Sequence, residues 1–556
     1  MNKTHFSTIV YFLIVTVITS CQKNAIATKT TTYSNIPPAN SISVVTQHND
    51  NSRAGWNNHE SILNIKNVNS TLFGKQFSLE VDDQLYAQPL VLSNVKIKNA
   101  NHNLALIATV NNTLYAFDAE NGDAIWKKNY TPSLSRPVKN NDMTGACGGN
   151  YLDFSGNMGI VGTPVIDSMA QTIYFVTRSI NAGTYLQQLH AVSILDGSEL
   201  KGSPVAITAT YAGSGAGSKN NVITFDSQKQ NQRQALTLLN GVVFISFSSH
   251  CDWGPYHGWV LGYDANTLQQ KITYNNTPDG ENGGIWESGM GMAADNQGNL
   301  YCVTGNGTVG VSNDPTNLIN RGESALKLTI SGATLKVSSY FTPFNYLYLE
   351  NNDLDYGGLG AFLIPNSNLF FTGCKDGNFY ILDKDNMGGY NTASNQIHQT
   401  INIRNAEANM HCQPSYFKSA NTEFIYVWPE NEPLHQVPLV NGILNVGQQK
   451  TNNVNGPVGQ NGAVISVSSN GSVDSTGIVW LAHAVPPYDA EHGVRQGILR
   501  AFSATDVTKE LWNSNLNGII EGAGSYAKFS SPTIANGHVY LPTFSNRVVV
   551  YGVLKK

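Results

Sequence analysis

The chain repeats one local pattern, and this repetition constrains the fold more than any other feature of the sequence. In its clearest copy, residues 111–130, an alternating strand-like run leads through a polar turn with Gly122 to a second strand that carries Trp126. Each copy offers short strands rich in Val, Ile, Tyr and Phe, separated by Asn-Gly, Asp-Gly or Ser-Asn turns. The further copies lie at 162–200, 236–274, 289–341, 360–390, 413–439, 462–515 and 530–553.

Short strands at hairpin spacing, with almost no helical periodicity, predict an all-β fold built from repeated four-stranded units. The eighth unit lacks its last strand, whereas residues 73–83 look like the outer strand of a unit whose other strands are missing. Joining the two segments closes a ring and removes a free sheet edge. We therefore predict an eight-bladed β-propeller closed by an N-terminal strand over 73–81.

The composition limits the partners that such a propeller could have. Only 13% of the residues are charged, the net charge is -5, and no tract rich in Lys or Arg is present. A nucleic-acid partner is therefore not expected, because such proteins concentrate basic residues on one surface.

The N-terminus has the pattern of an export signal. A basic start and an apolar run over 9–18 lead to Ile18-Thr19-Ser20-Cys21; this run is too short to span a bilayer but typical of a signal-peptide core. The four residues resemble a bacterial lipobox, which implies lipidation of Cys21; an ordinary secretory signal with a chance cysteine is the alternative. We expect a signal peptide over 1–20, a flexible tether over 21–50 and the propeller over 51–556.

The remaining cysteines do not form an evident pattern. They are an odd, scattered set, so no disulfide framework is predicted. No C-x-x-C-H motif occurs, and covalent c-type haem is not expected on this chain.

The repeat pattern A-x-D-x-x-x-G-x-x-x-W, seen from Ala116 to Trp126, resembles that of the pyrroloquinoline quinone (PQQ) repeat family. The resemblance covers nearly all of residues 60–553. The family contains quinoprotein dehydrogenases as well as scaffolds without catalytic activity. For an enzyme, the resemblance implies PQQ over the propeller axis, an aromatic floor, Ca²⁺ held by oxygen ligands, a carboxylate base and a nearby cation.

Two segments resemble the family's metal and floor positions. Asp252 stands where the family has a calcium-binding Glu, with a shorter side chain and a turn one residue longer. His250, Cys251 and His257 offer a transition-metal site as an alternative. In 283–307, Trp286 matches the floor Trp and Asn306 the Asn that binds calcium; the alternative is a packing Trp and an ordinary Asn-Gly turn.

Two further segments resemble the catalytic positions. In "ENNDLDYGG", Asp353 is the preferred catalytic Asp and a further metal ligand, with Asp355 as second choice. Lys375 stands where the family has a cation beside the quinone oxygens. Either segment could instead be a solvated acidic loop or a hairpin turn. The family's adjacent cysteines in an early loop are absent here, since Cys147 stands alone.

Two functions follow as expectations. One is a lipid-anchored PQQ- and calcium-dependent dehydrogenase of an alcohol or sugar, which would need a separate electron acceptor. The other is a surface propeller that binds a protein or glycan without catalysis, since fold alone does not determine function. In either case the protein is expected in the cell envelope, and Gln22 after Cys21 favours the outer membrane of a two-membrane bacterium.

Overall fold

The fold is described from a computed structural model, which covers residues 41–312, 314–403, 410–459, 461–486, 489–516 and 522–555. The predicted signal peptide, Cys21 and most of the predicted tether lie outside the described residues. Within the described part of the chain, no helix has the length and apolar composition needed to cross a bilayer.

The described chain forms the predicted eight-bladed β-propeller, with an antiparallel sheet as each blade. Alternating residues bury one row of side chains on each blade face, so that neighbouring blades pack through apolar clusters. In chain order the strands of the first four blades are Leu90–Ile97, Ala100–Ala108, Thr113–Asp118, Ala124–Asn129; Val165–Asp167, Thr172–Asn181, Thr184–Ser193, Val205–Ala206; Thr237–Leu239, Val242–Phe247, Trp259–Asp264, Gln270–Asn275; and Ala293–Ala294, Leu300–Val303, Ala325–Ser331, Thr334–Phe341.

The other four blades follow the same plan. Their strands are Phe362–Leu363, Leu369–Gly373, Asn378–Asp383, Gln399–Asn402; Ser415–Lys418, Glu423–Val427, Pro433–Val440, then Ile443–Leu444 and Lys450–Asn455; Val464–Ser468, Ile478–Ala484, Gly497–Ser503, Asp506–Asn513; and Thr533–Ala535, His538–Pro542, Arg547–Val553, Phe73–Glu80. Outside these, Arg136–Pro137 joins blade 2, Trp56–Asn57 joins blade 7, and Thr210–Ala212 pairs with Val222–Thr224.

Helical structure is sparse in the described residues. The α-helix is Tyr346–Asn351. The 3-10 turns are Asn140–Asp142, Ala146–Gly149, Glu287–Gly289, Tyr356–Gly358, Val446–Gln448 and Asp474–Thr476.

The predicted closing strand completes the eighth blade. Phe73–Glu80 pairs antiparallel with Arg547–Val553, from Phe73 opposite Val553 to Glu80 opposite Arg547. The repeat Trp also has the expected position between blades: the Trp126 Nε1–H of blade 1 donates to the Ile194 carbonyl of blade 2 at 2.8 Å. The two ends of the chain therefore close the ring, and no edge is left between blades 8 and 1.

Residues 44–57, here called the N-terminal plug, fill one end of the central channel. They hydrogen bond to the first strand of every blade, and these strands therefore line the channel. The bonded pairs are Val44–Val91, Val45–Ile166, Asn51–Leu238, Asn51–Ala294, Ser52–Leu363, Ala54–Tyr416, Gly55–Val467 and Asn57–Ile534.

The plug changes the expected boundary of the tether. Residues 44–50 fall in the segment predicted to be flexible, yet Val44 and His48 are buried. Their sequence is polar and aperiodic, so it lacks the alternation that predicts a strand. Their partners are backbone groups of other blades, which a local sequence pattern does not reveal.

Candidate active site

The five residues singled out in the sequence lie on one face of the propeller. Asp252, Asn306 and Lys375 lie between the second and third strands of blades 3, 4 and 5. Trp286 and Asp353 lie in the connections that enter blades 4 and 5. Because successive strands of a blade are antiparallel, both kinds of connection emerge on the same face, here called the site face.

Four polar side chains meet at blades 4 and 5. Asn306 Nδ2 donates to Asp353 Oδ1 at 2.9 Å, and the Asn306 backbone N–H donates to Asp355 Oδ1 at 2.7 Å. Lys375 Nζ lies 2.5 Å from Asp355 Oδ2 and 3.4 Å from Asp353 Oδ1. The structure therefore brings Asn306, Asp353 and Lys375 together, with Asp355 as a fourth member.

The two aspartates of this cluster are in different environments. Asp355 is buried and both its carboxylate oxygens are occupied, whereas 70% of the Asp353 side chain is exposed. Burial would raise the pKa of Asp355, but the positive charge of Lys375 and the Asn306 N–H hold it below its usual value. Burial would lower the pKa of Lys375, but the negative charges of Asp355 and Asp353 have the larger effect and raise it. Asp355 is thus fixed as an ion-pair partner.

Asp252, on blade 3, lies near this cluster. Its carboxylate accepts a hydrogen bond from the Tyr256 hydroxyl. The residue is exposed, although neighbouring groups shield its carboxyl group from part of the solvent. This burial, together with the negative charge of Asp355, raises the pKa of Asp252 to about 6. The charges of Asp353 and Lys375 also act on it, as expected for groups around one centre.

Trp286 lies against this cluster. A Cβ on Gly305 would be 2.9 Å from Trp286 Cδ1 and 2.4 Å from Asp355 Oδ1, so only glycine fits between them. The Tyr256 ring meets Trp286 edge to face with 6.5 Å between centroids. Trp286 Nε1 is buried without a hydrogen-bond partner among the described residues. An unpaired buried donor of this kind suggests a ligand or water.

Beside Trp286 is a small cavity that the sequence did not predict. It is lined by Tyr86, Tyr151, Asp153, Phe154, Val161, Asn231, Arg233, Trp286, Gly289, Lys528 and Phe529. The Arg233 guanidinium lies 4.1 Å from the Phe529 ring centroid and 5.8 Å from that of Trp286. Burial lowers the pKa of Arg233 to about 10 and that of Lys528 to about 8. Both cations lie in connections between blades. Their location in such connections is the only signal in the sequence that could have identified them as residues of the site.

A disulfide borders the site. Cys147 and Cys251 are bonded across 104 residues, although the scattered cysteines predicted no framework. The bridge joins the connection before blade 2 to the loop that carries Asp252. It also removes the transition-metal alternative, since the Cys251 sulfur is used and His250 bonds Tyr151 and Arg178. Sequence spacing could not have paired two cysteines from different blades.

Comparison with known proteins supports the fold. No protein-family model and no curated protein sequence matches the chain. Among solved structures, it is similar to a quinohemoprotein alcohol dehydrogenase from Pseudomonas putida HK5, with 14% identity, TM-score 0.55, and coverage of 92% of this chain and 81% of that one. A quinohemoprotein alcohol dehydrogenase from Comamonas testosteroni matches with 13% identity, TM-score 0.52, and coverage of 93% and 81%.

A third similar structure is a europium-containing methanol dehydrogenase. It matches with 12% identity and TM-score 0.53, over 92% of this chain and 98% of that one. At these identities the likeness establishes the β-propeller fold and nothing about the reaction of this chain.

Proposed function

We propose that this protein is a PQQ-dependent dehydrogenase of an alcohol or sugar. The observation that carries the proposal is the convergence of Asp252, Asn306, Asp353 and Lys375 beside Trp286. These residues come from three blades, and turn residues that served only their own blades would have no reason to share one centre. A non-catalytic propeller that binds a protein or glycan remains the competing function.

The residues present fit a planar, anionic quinone with a metal ion. Trp286 and Phe529 offer aromatic surfaces, and Arg233 and Lys528 offer positive charge in the adjoining cavity. Asn306 Oδ1 is buried and has no hydrogen-bond partner among the described residues. An unpaired amide oxygen near two carboxylates is the kind of donor set that calcium prefers, so Asn306, Asp252 and Asp353 would hold the metal.

The bound quinone would supply a two-electron acceptor, and the chain's own residues would manage the proton. Asp353 is the base in this proposal, because it is exposed and its Oδ2 is not held by Lys375 or Asn306. It would take the substrate hydroxyl proton. Lys375 would act through its charge, since Asp355 Oδ2, Asp353 Oδ1 and the Asp353 carbonyl all lie within 3.4 Å of its Nζ.

Reconstitution with PQQ and metal tests this proposal. Purified protein is incubated with PQQ and Ca²⁺, or with PQQ and Eu³⁺ because one similar structure holds europium, and then passed through gel filtration. We expect the quinone absorbance to elute with the protein and an artificial dye to be reduced when alcohols or sugars are added. Elution without the quinone for both metals would favour the non-catalytic function.

A pair of variants separates catalysis from folding. Asp353→Asn should abolish dye reduction while leaving PQQ bound and the fold intact. Asp385→Asn is the matched control, because Asp385 is an exposed aspartate paired with Lys327 at 2.8 Å on the opposite face. Equal activity of the two variants would show that Asp353 is not the base.

We also propose that the protein is exported and anchored through lipidated Cys21. The support is the lipobox-like sequence and the position of the residue that precedes the plug: the Ile42 N–H donates to Asn536, which lies in the turn between the first two strands of blade 8, on the face opposite the site. Cys21→Ser should release the protein from the membrane fraction. A variant that stays equally membrane-bound would contradict the anchor.

A further inference from the structure

The loop that carries Trp286 has an unusual backbone. Glu287, Ser288 and Gly289 follow it with φ of 45°, 49° and 80°. Residues other than glycine rarely adopt positive φ, and two in succession need support from the surrounding structure. Phe529, the other aromatic wall of the cavity, also has positive φ, at 64°. The two walls therefore depend on contacts that hold their backbones in place.

One side chain contacts both of these backbones. Gln413 Nε2 donates to the Ser288 carbonyl at 2.7 Å and to the Phe529 carbonyl at 3.0 Å. The Gln413 side chain is fully buried, and its Oε1 accepts from Ser531 Oγ at 2.5 Å. Both amide protons and the amide oxygen are thus used, which fixes the orientation of the amide group.

The same contacts continue to the rest of the site and to the plug. Ser288 Oγ lies within hydrogen-bond distance of the Gly358 carbonyl at 2.6 Å and the His411 carbonyl at 2.7 Å. Gly358 ends the short turn that follows Asp355. On the other side, Ser531 Oγ lies 3.2 Å from His48 Nε2 in the plug. Gln413 is therefore the junction between the plug and the two aromatic walls.

The space around this junction is tight. A Cβ added to Gly289 would lie 3.1 Å from Phe529 Cβ, so the two loops touch at the wall of the cavity. A displacement of either carbonyl would change the positions of Trp286 and Phe529 relative to each other and to the Arg233 guanidinium, which lies near both rings.

We infer that Gln413 is a positioning residue for the site: its amide group fixes the positions of Trp286 and Phe529, and thereby the shape of the cavity that these rings offer to a planar ligand. This inference rests on the proposed function for the identity of that ligand. Gln413 does not line the cavity, so it acts only through the loops that it holds.

The test compares two buried glutamines. Gln413→Met keeps the size of the side chain and removes its hydrogen bonds. Gln436→Met is the matched control. Gln436 lies on the third strand of blade 6, is also buried, and donates to the Ala504 carbonyl at 2.7 Å. Gln413→Asn, which keeps the amide but shortens the side chain, provides a second variant if the Met variant does not fold.

Two measurements are made on each variant. The first measurement is amide hydrogen exchange of the protein without added PQQ. In the Gln413 variants, exchange over 286–290 and 527–531 should be at least about tenfold faster, because each loop loses one hydrogen bond that stabilises it. The Kd for PQQ in the presence of Ca²⁺, followed by quenching of tryptophan fluorescence, should rise about tenfold for the same reason. Gln436→Met should change neither quantity.

The outcomes separate this inference from the proposed function. Unchanged exchange in both loops, or equal changes in the Gln413 and Gln436 variants, would overturn the positioning role. Faster exchange with an unchanged PQQ affinity would also overturn it. If the wild-type protein binds no PQQ, the proposed function fails, while the exchange measurement still decides whether Gln413 holds the two loops.

Discussion

Glu287 provides a test of the site's environment that needs no cofactor. The residue is 1% exposed, and burial raises its pKa from the usual 4.5 to about 8. The Val303 N–H donates to its Oε1 at 3.0 Å and Arg53 lies nearby, but these interactions offset only part of the cost of burial. Glu287 is therefore protonated in the folded protein at neutral pH.

The sign of the effect on stability follows from this shift. Below pH 4.5 the group is protonated in both the folded and the unfolded chain, and its contribution to stability is fully present. As the pH rises towards 8, the unfolded chain releases the proton and the folded chain retains it. Each pH unit in this window costs about 1.4 kcal/mol. Between pH 5 and pH 9 the free energy of unfolding should thus fall by about 4 kcal/mol through Glu287 alone.

Glu287→Gln isolates this contribution. The variant keeps the shape of the protonated acid but cannot ionise, so it should match the wild type at pH 5 and be more stable by about 4 kcal/mol at pH 9. Urea unfolding at pH 5, 7 and 9 measures the difference. Glu80→Gln, an exposed position on the closing strand, is the control and should give parallel curves. A Glu287→Gln difference that does not grow with pH would refute the placement of an uncompensated carboxyl group beside Trp286.

Three further predictions concern closure, the disulfide and the metal. Phe73→Ala should lower the free energy of unfolding by about 4 kcal/mol in urea titrations, because Phe73 is fully buried and packs on Trp512 with 5.0 Å between ring centroids. A loss below about 1 kcal/mol would contradict the pairing of the closing strand with blade 8. Replacing both Cys147 and Cys251 by Ser should weaken Ca²⁺ binding about tenfold in calorimetry, as expected when the support of a metal ligand is removed, and unchanged binding would count against that support. Asp252 must be ionised to bind a cation, and its pKa is about 6, so Ca²⁺ affinity should be about tenfold lower at pH 5 than at pH 7. Asp252→Asn should abolish this pH dependence. A wild-type affinity that does not change with pH would argue against Asp252 as a ligand.

The propeller and its closure could be predicted from the sequence because both depend on local patterns. Strand alternation and turn residues repeat along the chain, and the missing outer strand of the last unit matches residues 73–80. Asp252, Asn306 and Lys375 could be placed on one face in the same way, because equivalent connections of successive blades emerge on the same face. These predictions needed only the order of the strands.

The plug, the disulfide and the cavity cations could not be predicted in this way. The plug bonds to the inner strands of all blades, and those strands are distant in sequence. Cys147 and Cys251 lie in the connection before blade 2 and in blade 3, so their proximity depends on the packing of successive blades. Arg233 and Lys528 enter the cavity from the connections before blades 3 and 8, which are distant in sequence. Each of these contacts depends on the curvature of the ring and not on a local pattern.

The choice between Asp353 and Asp355 illustrates what the structure adds within a single motif. The two residues are separated only by Leu354, so the sequence offers both as carboxylates of the same loop. Because Asp355 has Lys375 on one oxygen and the Asn306 N–H on the other, a proton added there would break a buried ion pair, a change that commonly costs about 3–5 kcal/mol. Asp353 is open to solvent and can accept a proton without that loss. The difference in cost arises from burial together with the Lys375 ion pair, and it favours Asp353 over Asp355 as the base of the proposed reaction.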